Sequence, residues 1–282
     1  MIGLFDSGHG GLTVFRSLVA RFPHVRFVYL GDHANAPYGN RSSKEIVDFT
    51  RAGVELLFAK GCPLVILACN TATAVACRTL QQDWLPGARR EGENILGVVA
   101  PMVEAATQTP WAATAPQYPQ KFNADTIAIF GTERTVSSGV YGEEISKRCP
   151  KVTVLQQACA DLAGAIEAGR PEAELDAMVK AYVDELLERS DGTAPHSAIL
   201  GCTHYPLVEQ LFVRHLPAST RLLCQPEVVA DSLEDYLARH IRFTTAKEPG
   251  EPPLLLTTGD PRTVTKTLQV FMPGAHEFQP AS

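Results

Sequence analysis

Short apolar runs recur along this 282-residue chain, each followed by small or polar residues and then by a segment of helical character. This alternation is typical of α/β folds, in which buried parallel strands alternate with helices. The runs that we predict to be strands are Ile2–Phe5, Val25–Leu30, Pro63–Ala68, Asn94–Val98, Thr126–Phe130, Val152–Leu155, Ala198–Leu200, Thr220–Cys224 and Leu254–Thr257. Open α/β sheets bind ligands at the C-terminal ends of their strands, so the residues after these runs are the candidates for function.

Two pairs of segments resemble each other along the chain. IGLFDSG, which begins at Ile2, resembles IAIFGTE, which begins at Ile127, and VILACNTATA resembles SAILGCTHYP. We therefore expect two related α/β halves whose strand ends face each other across a cleft. The Pro-, Ala- and Gln-rich stretch 107–121 lies between the halves and indicates an exposed loop or insertion.

The composition excludes several classes of protein. Apolar residues make up 45% of the chain and charged residues 20%, with a formal net charge of −6 and no basic run, which argues against nucleic acid as a partner. No run approaches the ~18 apolar residues that span a bilayer, so we expect no membrane partner. The seven cysteines form no C-x-x-C pair, which disfavours a disulfide framework or a zinc site and favours free thiols in the cytoplasm.

Two of these cysteines have matching surroundings. Cys69 follows the apolar run PLVILA and precedes a helix start, while Cys202 follows AILG and lies two residues before His204. Each thiol is either a small buried hydrophobe or a reactive group. A Cys–His nucleophile for acyl transfer would leave the other cysteine without a task. Two thiols fit two-base proton transfer better, because stereoinversion needs a base on one face of a carbon and an acid on the other.

Five motifs carry a family resemblance: FDSGHGGLTV from Phe5, YLGD from Tyr29, PYG from Pro37, ACNTATA from Ala68 and LGCTHYPL from Leu200. With them, the chain resembles glutamate racemase, in the aspartate/glutamate racemase superfamily. The resemblance implies an α/β fold of two similar lobes with mostly parallel sheets flanked by helices, related by a pseudo-twofold axis, with the active site in the cleft between them. It places residues 1–98 and 208–282 in the first lobe and 99–207 in the second.

The same resemblance implies interconversion of L- and D-glutamate, without pyridoxal phosphate or metal, to supply D-glutamate for peptidoglycan. A homodimer is also what the resemblance implies. The acid/base residues that it implies are Cys69, Cys202, Asp6 and His204. The substrate-binding residues that it implies are Asp6, Ser7, Tyr38, Gly39, Asn70, Thr71, Thr132, Thr135, Thr203 and His204.

Some of these residues have simpler interpretations. Asp6 and Ser7 are also suited to cap the helix after the first strand, and Thr132 and Thr135 are suited to cap a later one. His9 departs from the small apolar residue usual at its position. An altered entrance to the cleft is one interpretation of it, and a solvent-facing loop residue is the one that we favour. Glu167 lies in the segment 156–169, which resembles the family but has Ala160 where proline is common, and a charge on a helix surface is an alternative interpretation of it.

Three other functions stay open at this point. The proton-transfer pair does not measure the length of a side chain, so aspartate or another amino acid is an alternative substrate. A thiol hydrolase built on Cys202 and His204 would form a covalent acyl-enzyme and tolerate loss of Cys69. A non-catalytic protein of this fold would bind glutamate without exchanging its α-hydrogen.

Overall fold

The computed structural model describes residues 1–88, 90–118, 125–243, 252–274 and 277–281. The chain separates into two compact units. Unit 1 comprises Met1–Val98 and Val229–Ser282, and unit 2 comprises Val99–Val228.

The strands, in chain order, are β1 (Ile2–Asp6), β2 (Phe27–Gly31), β3 (Leu64–Leu67), β4 (Asn94–Gly97), β5 (Thr126–Gly131), β6 (Thr153–Ala158), β7 (Ser197–Gly201), β8 (Arg221–Leu223), β9 (Leu254–Thr257) and β10 (Gln279–Pro280). The α-helices are α1 (Leu12–Arg21), α2 (Ser43–Ala59), α3 (Asn70–Ala72), α4 (Leu85–Gly87), α5 (Val99–Thr107), α6 (Glu133–Ser137), α7 (Val140–Arg148), α8 (Leu162–Glu167), α9 (Glu172–Arg189), α10 (Glu209–His215), α11 (Gln225–Arg239) and α12 (Pro261–Phe271). Wider π-helical turns at Thr73–Cys77 and Leu80–Trp84 lie between α3 and α4. Each apolar run singled out in the sequence overlaps a strand, whereas β10 was not predicted.

Both sheets are parallel throughout their described pairings. The order is β10-β9-β2-β1-β3-β4 in unit 1 and β6-β5-β7-β8 in unit 2. Every residue of β1, β2, β3 and β7 is buried, which is why these strands are nearly continuous apolar runs rather than alternating patterns. The mixed α/β class with two parallel sheets flanked by helices is therefore confirmed.

The two sheets share one internal order of strands. Four neighbouring strands of unit 1 lie in the order β2-β1-β3-β4, and the strands of unit 2 lie in the matching order β6-β5-β7-β8. In unit 1, β3, which precedes Cys69, pairs with β1, which belongs to the segment IGLFDSG. In unit 2, β7, which precedes Cys202, pairs with β5, which belongs to the resembling segment IAIFGTE. The short sequence resemblances therefore coincide with equivalent positions in the two sheets.

The end of unit 2 differs from the expected boundary at residue 207. Unit 2 continues to Val228, because β8 pairs with β7 and so adds the fourth strand to its sheet. The chain then returns to unit 1 within α11, and β9 joins that sheet beside β2.

The stretch 107–121 begins differently from the expected loop. Thr107 is fully buried as the last residue of α5, whereas most of the residues from 108 to 118 are exposed or partly exposed, and residues 119–121 lie outside the described residues. Arg148 of α7 holds this segment, since its Nη2 donates to the carbonyl of Trp111 at 2.6 Å and its guanidinium lies 4.3 Å from the indole centroid. Within the described residues, no helix combines the length and the apolar character needed to cross a membrane.

Candidate active site

Cys69 lies where the sequence predicted, after β3 and at the start of a helix. It is the N-cap of α3, with extended backbone, and its Sγ accepts a hydrogen bond from the N–H of Ala72 at 3.4 Å. The Oγ of Ser7 lies 3.5 Å from the same sulfur. The thiol is 6% exposed. Donors directed at sulfur favour the thiolate, which is the form that acts as a base.

Asp6 ends β1 and Ser7 follows it, and neither caps α1, so that alternative was wrong. The N-cap of α1 is Gly11, and no side chain caps this end of the helix. Instead, Oδ1 of the fully buried Asp6 accepts the N–H of Gly8 at 2.9 Å. A Cβ on Gly11 would lie 2.6 Å from the Cβ of Asp6, so Gly11 is required for space rather than for an unusual backbone conformation.

A buried carboxylate that the sequence analysis gave no role organises the segment around Tyr38. Asp32 accepts the Tyr38 hydroxyl on Oδ2 at 2.6 Å and the Thr258 hydroxyl on Oδ1 at 2.7 Å. The Asn35 amide donates to both of its oxygens at 3.0 Å. Only the YLGD motif pointed to this residue. Since the Tyr38 hydroxyl donates its proton to Asp32, its oxygen can contact a ligand only as a hydrogen-bond acceptor.

Burial and several acidic groups of unit 1 raise the pKa of Tyr38. Burial raises the pKa of its phenol most, and the Asp32 carboxylate raises it further. Cys69 and Asp6, in their charged forms, also raise this pKa, which places both groups within electrostatic range of the same hydroxyl. Asn70 and Thr71 are buried directly after Cys69, and a Cβ on Gly39 would meet no atom within 4 Å.

In unit 2, Cys202 follows β7 directly, as predicted, and lies beside His204. Its Sγ is 3.8 Å from Nδ1 of that imidazole, and Nε2 of the ring is 3.1 Å from Oε2 of Glu167. Burial by itself would lower the pKa of His204, but the hydrogen bonds to Cys202 and Glu167 outweigh it and raise the pKa to about 10. At neutral pH, His204 is therefore an imidazolium that donates to a sulfur on one side and a carboxylate on the other.

Glu167 is the residue of this site that the sequence analysis set aside. It is the last residue of α8, and its carboxylate contacts the imidazole across 37 positions of the chain. The interpretation of a mere helix-surface charge was therefore wrong. The surrounding segment resembled the family, but the local departure at Ala160 hid the contact.

The three threonines predicted to bind substrate lie at two places in unit 2, with Thr132 and Thr135 at the start of α6 and Thr203 after β7. Thr132 caps α6, since its Oγ1 accepts the N–H of Thr135 at 3.2 Å, which confirms the capping interpretation for Thr132. The buried Thr135 hydroxyl lies 3.0 Å from that of Thr132. Thr203 is buried between Cys202 and His204. Gly131 pairs with Gly201, so Thr132 and Cys202 leave adjacent strands at the same edge of the sheet.

His9 is not a solvent-facing loop residue, and that interpretation was wrong. It is buried, and its Nε2 lies 2.9 Å from the carbonyl of Val264 in α12. Its ring stacks on Phe271 at 5.5 Å and meets His33 edge-on at 4.3 Å. The cause is the packing of the C-terminal helix, which brings residues more than 250 positions away against this turn.

Each unit therefore presents a buried thiol at the C-terminal end of an equivalent strand, with a hydroxyl beside Cys69 and an imidazole beside Cys202. Such groups can accept and return a proton. Among the described residues, no group of three or more His, Cys, Asp or Glu side chains is arranged to hold a metal ion.

Comparison with known proteins gives relatives over almost the whole chain, although no model of a known protein family matches it. The chain is 49% identical over 286 residues to the glutamate racemase of Phenylobacterium zucineum strain HLK1, with 99% of each protein covered. It is 46% identical over 284 residues to that of Caulobacter sp. strain K31, again with 99% of each covered. The crystal structure of glutamate racemase isoform RacE1 from Bacillus anthracis superposes with a TM-score of 0.81 at 26% identity, covering 99% of this chain and 96% of that one.

Proposed function

This chain belongs to the glutamate racemase family, and from that premise we propose that Cys69 and Cys202 are the two acid/base groups that interconvert L- and D-glutamate. The reaction supplies D-glutamate for peptidoglycan. The observation that supports the assignment of the thiols is their equivalence, since each follows the corresponding strand of its unit and each has a polar partner beside its sulfur.

The proposed reaction is a transfer of one proton at each face of the α-carbon. One thiolate removes the α-proton, so that a C–H bond breaks and an S–H bond forms. The other thiol gives its proton to the opposite face, so that its S–H bond breaks and a new C–H bond forms. The two sulfurs then hold exchanged protonation states, and reaction in the reverse direction swaps their roles.

Partners beside each sulfur would hold these protonation states. Asp6 assists near Cys69, and His204 near Cys202. The imidazolium, with its pKa raised to about 10, lies beside the Cys202 sulfur and is itself held by Glu167. Because the two thiols supply both the base and the acid, the proposed chemistry uses neither pyridoxal phosphate nor a metal.

An α-proton is far less acidic than a thiol, so the carbanion-like transition state must be stabilised by hydrogen bonds to the substrate carboxylate. We assign the binding of the ammonium and carboxylate groups of glutamate to Ser7, Tyr38, Gly39, Asn70, Thr71, Thr132, Thr135, Thr203 and His204, together with Asp6. Because its hydroxyl donates to Asp32, Tyr38 contributes through its backbone or by accepting a hydrogen bond on its hydroxyl oxygen.

The test is α-hydrogen exchange in D₂O, followed by NMR, together with inversion followed by circular dichroism. L- and D-glutamate are compared with L- and D-aspartate, without added cofactor. Inversion of glutamate with deuterium at the α-carbon, abolished in both Cys69→Ser and Cys202→Ser, is the expected result. Selectivity for aspartate would change the substrate. A covalent acyl-enzyme that survives Cys69→Ser would indicate a thiol hydrolase, and binding of glutamate without exchange would indicate a binding protein.

We also propose a cytoplasmic homodimer. All seven cysteines are present as thiols, which is the state that a reducing compartment maintains and that the proposed chemistry requires. The family resemblance supports the dimer. Light scattering of the purified protein would give its mass, and a monomer at assay concentrations would contradict the proposed assembly.

A further inference from the structure

The turn between β1 and α1 holds a histidine that the proposed chemistry does not use. His9 lies two residues after Ser7, and its Nε2 is 2.9 Å from the carbonyl of Val264. A carbonyl only accepts hydrogen bonds, so Nε2 is the protonated nitrogen and donates to it. The imidazole thereby links the turn after β1 to α12, near the opposite end of the sequence.

Aromatic rings complete this link. The imidazole of His9 stacks on Phe271 at an interplanar angle of 18° and meets Phe278 in a T-shaped contact at 5.9 Å. His33 contacts both His9 and Phe278, at 4.3 Å and 5.3 Å. We call His9, His33, Phe271 and Phe278 the C-terminal ring cluster. Ring pairs of this kind add stabilisation beyond the area that they bury.

The same turn leads to the thiol of unit 1. Ser7 Oγ lies 3.5 Å from Cys69 Sγ, and Asp6, just before it, accepts the N–H of Gly8. A second bond holds the turn from β2, since the Tyr29 hydroxyl donates to the carbonyl of Gly8 at 2.6 Å. The position of Ser7 is therefore defined by contacts made by the next two residues, since Gly8 accepts from Tyr29 and His9 bonds to Val264.

We propose that His9 is a positioning residue for the racemase reaction, and that through it the C-terminal ring cluster and α12 hold the turn so that the Ser7 hydroxyl stays against the Cys69 sulfur. This role rests on the proposed function of Cys69. His9 touches neither the sulfur nor the substrate in this role and acts through Ser7. Loss of its ring removes both the bond to Val264 and the packing between the turn and Phe271.

The kinetic test is a double-mutant cycle between His9 and Ser7. His9→Ala and Ser7→Ala are each expected to lower kcat/KM by about tenfold, and the double variant by about the same factor. The effects do not multiply because either substitution alone already removes the contact of the Ser7 hydroxyl with the Cys69 sulfur. A product of the two single effects, near one hundredfold, would overturn the proposal. His24→Ala makes the same change at an exposed position of unit 1 and is expected to leave the kinetics unchanged.

A second measurement does not depend on racemase activity. Iodoacetamide alkylation of Cys69 and Cys202 is followed by peptide mass spectrometry in the same sample, so that Cys202 of unit 2 serves as the internal control. In His9→Ala, the rate at Cys69 relative to Cys202 is expected to fall about threefold or more, since the Ser7 hydroxyl no longer stabilises the thiolate. An unchanged or raised ratio would overturn the proposal.

Phe278→Leu tests the link from the C-terminal side and replaces His9→Ala if that variant does not fold. It keeps the turn sequence intact and is expected to lower the Cys69 alkylation ratio in the same direction, with a cooperative melting transition retained. If wild type inverts glutamate but His9→Ala and Phe278→Leu match it in kinetics and alkylation, the positioning role fails alone. If wild type neither inverts nor exchanges glutamate, the proposed function fails, and the alkylation ratio still decides the role of His9.

Discussion

Replacing Glu167 by glutamine tests how His204 is kept charged. The substitution preserves size and removes one negative charge 3.1 Å from Nε2 of the imidazole. A hydrogen bond between charged groups contributes about 1.5–3 kcal/mol, and we lower this to about 1 kcal/mol because the Glu167 side chain is 36% exposed and its charge is screened by water. At 1.36 kcal/mol per pKa unit, the pKa of His204 should fall by about 0.7 units.

This shift has a defined sign in the pH profile. The imidazolium donates to the Cys202 sulfur, and it is lost as the pH rises through the pKa of His204, which is about 10 in the wild type. The alkaline limb of kcat/KM should therefore move towards lower pH by about 0.7 units in Glu167→Gln, whereas kcat/KM at about pH 8 should change little, because His204 stays protonated there in both proteins. The same comparison applies to stability. A raised pKa stabilises the folded state below the unfolded value and loses that effect as pH rises past about 10, so the difference in unfolding free energy should vanish there.

The assay is circular dichroism of glutamate inversion between about pH 6 and pH 10, with urea unfolding at the same pH values. Glu174→Gln is the matched control, because Glu174, on α9, forms an exposed ion pair with Arg170, which precedes that helix. An alkaline limb that moves by less than about 0.2 units, or an equal shift in the control, would refute the reasoning for His204.

Three further predictions concern the packing that supports the site. Asp32→Asn should lower the free energy of unfolding by about 1.5–3 kcal/mol in urea, because an amide cannot accept on both sides, and a loss below about 0.5 kcal/mol would contradict the hydrogen-bonding role. Gly11→Ala should cost about 1–3 kcal/mol through collision with the Asp6 side chain, whereas Gly87→Ala, where a Cβ meets no atom within 4 Å, should be neutral or stabilising in the same experiment. Arg148→Met should lower the free energy of unfolding by about 2 kcal/mol, because it leaves the buried Glu144 with Lys147 as its remaining described ion pair. It should also speed proteolysis of residues 108–118, because the bond to the Trp111 carbonyl is lost, and equal proteolysis rates would contradict the anchoring role.

Most of the fold could be predicted from the sequence because buried parallel strands impose an apolar run wherever they occur. The exception, β10, consists of Gln279 and Pro280, which is too short and too polar to show such a pattern. The end of unit 2 was also missed. Its position depends on the pairing of β8 with β7, and a strand run does not indicate which sheet it joins.

The two cysteine positions could be predicted because their surroundings are local, a strand before each thiol and polar residues after it. The partners could not be predicted equally well. Glu167 reaches His204 across 37 positions and His9 reaches Val264 across 255, so neither contact leaves a pattern in its own neighbourhood. For Asp6 the alternatives were a helix cap and an assisting carboxylate, and the start of α1 at Leu12 with Gly11 as its cap removes the first.

The strand order of unit 1 has a consequence for synthesis on the ribosome. β1 to β4 emerge first, yet one edge of β2 is covered by β9, which is translated only after all of unit 2. Unit 2 is continuous in sequence, so its four strands have their partners as soon as Val228 has been made. An uncovered strand edge invites pairing with other chains. The sheet of unit 1 is thus begun first and completed last. One edge of β2 stays exposed for the time needed to translate everything between β2 and β9.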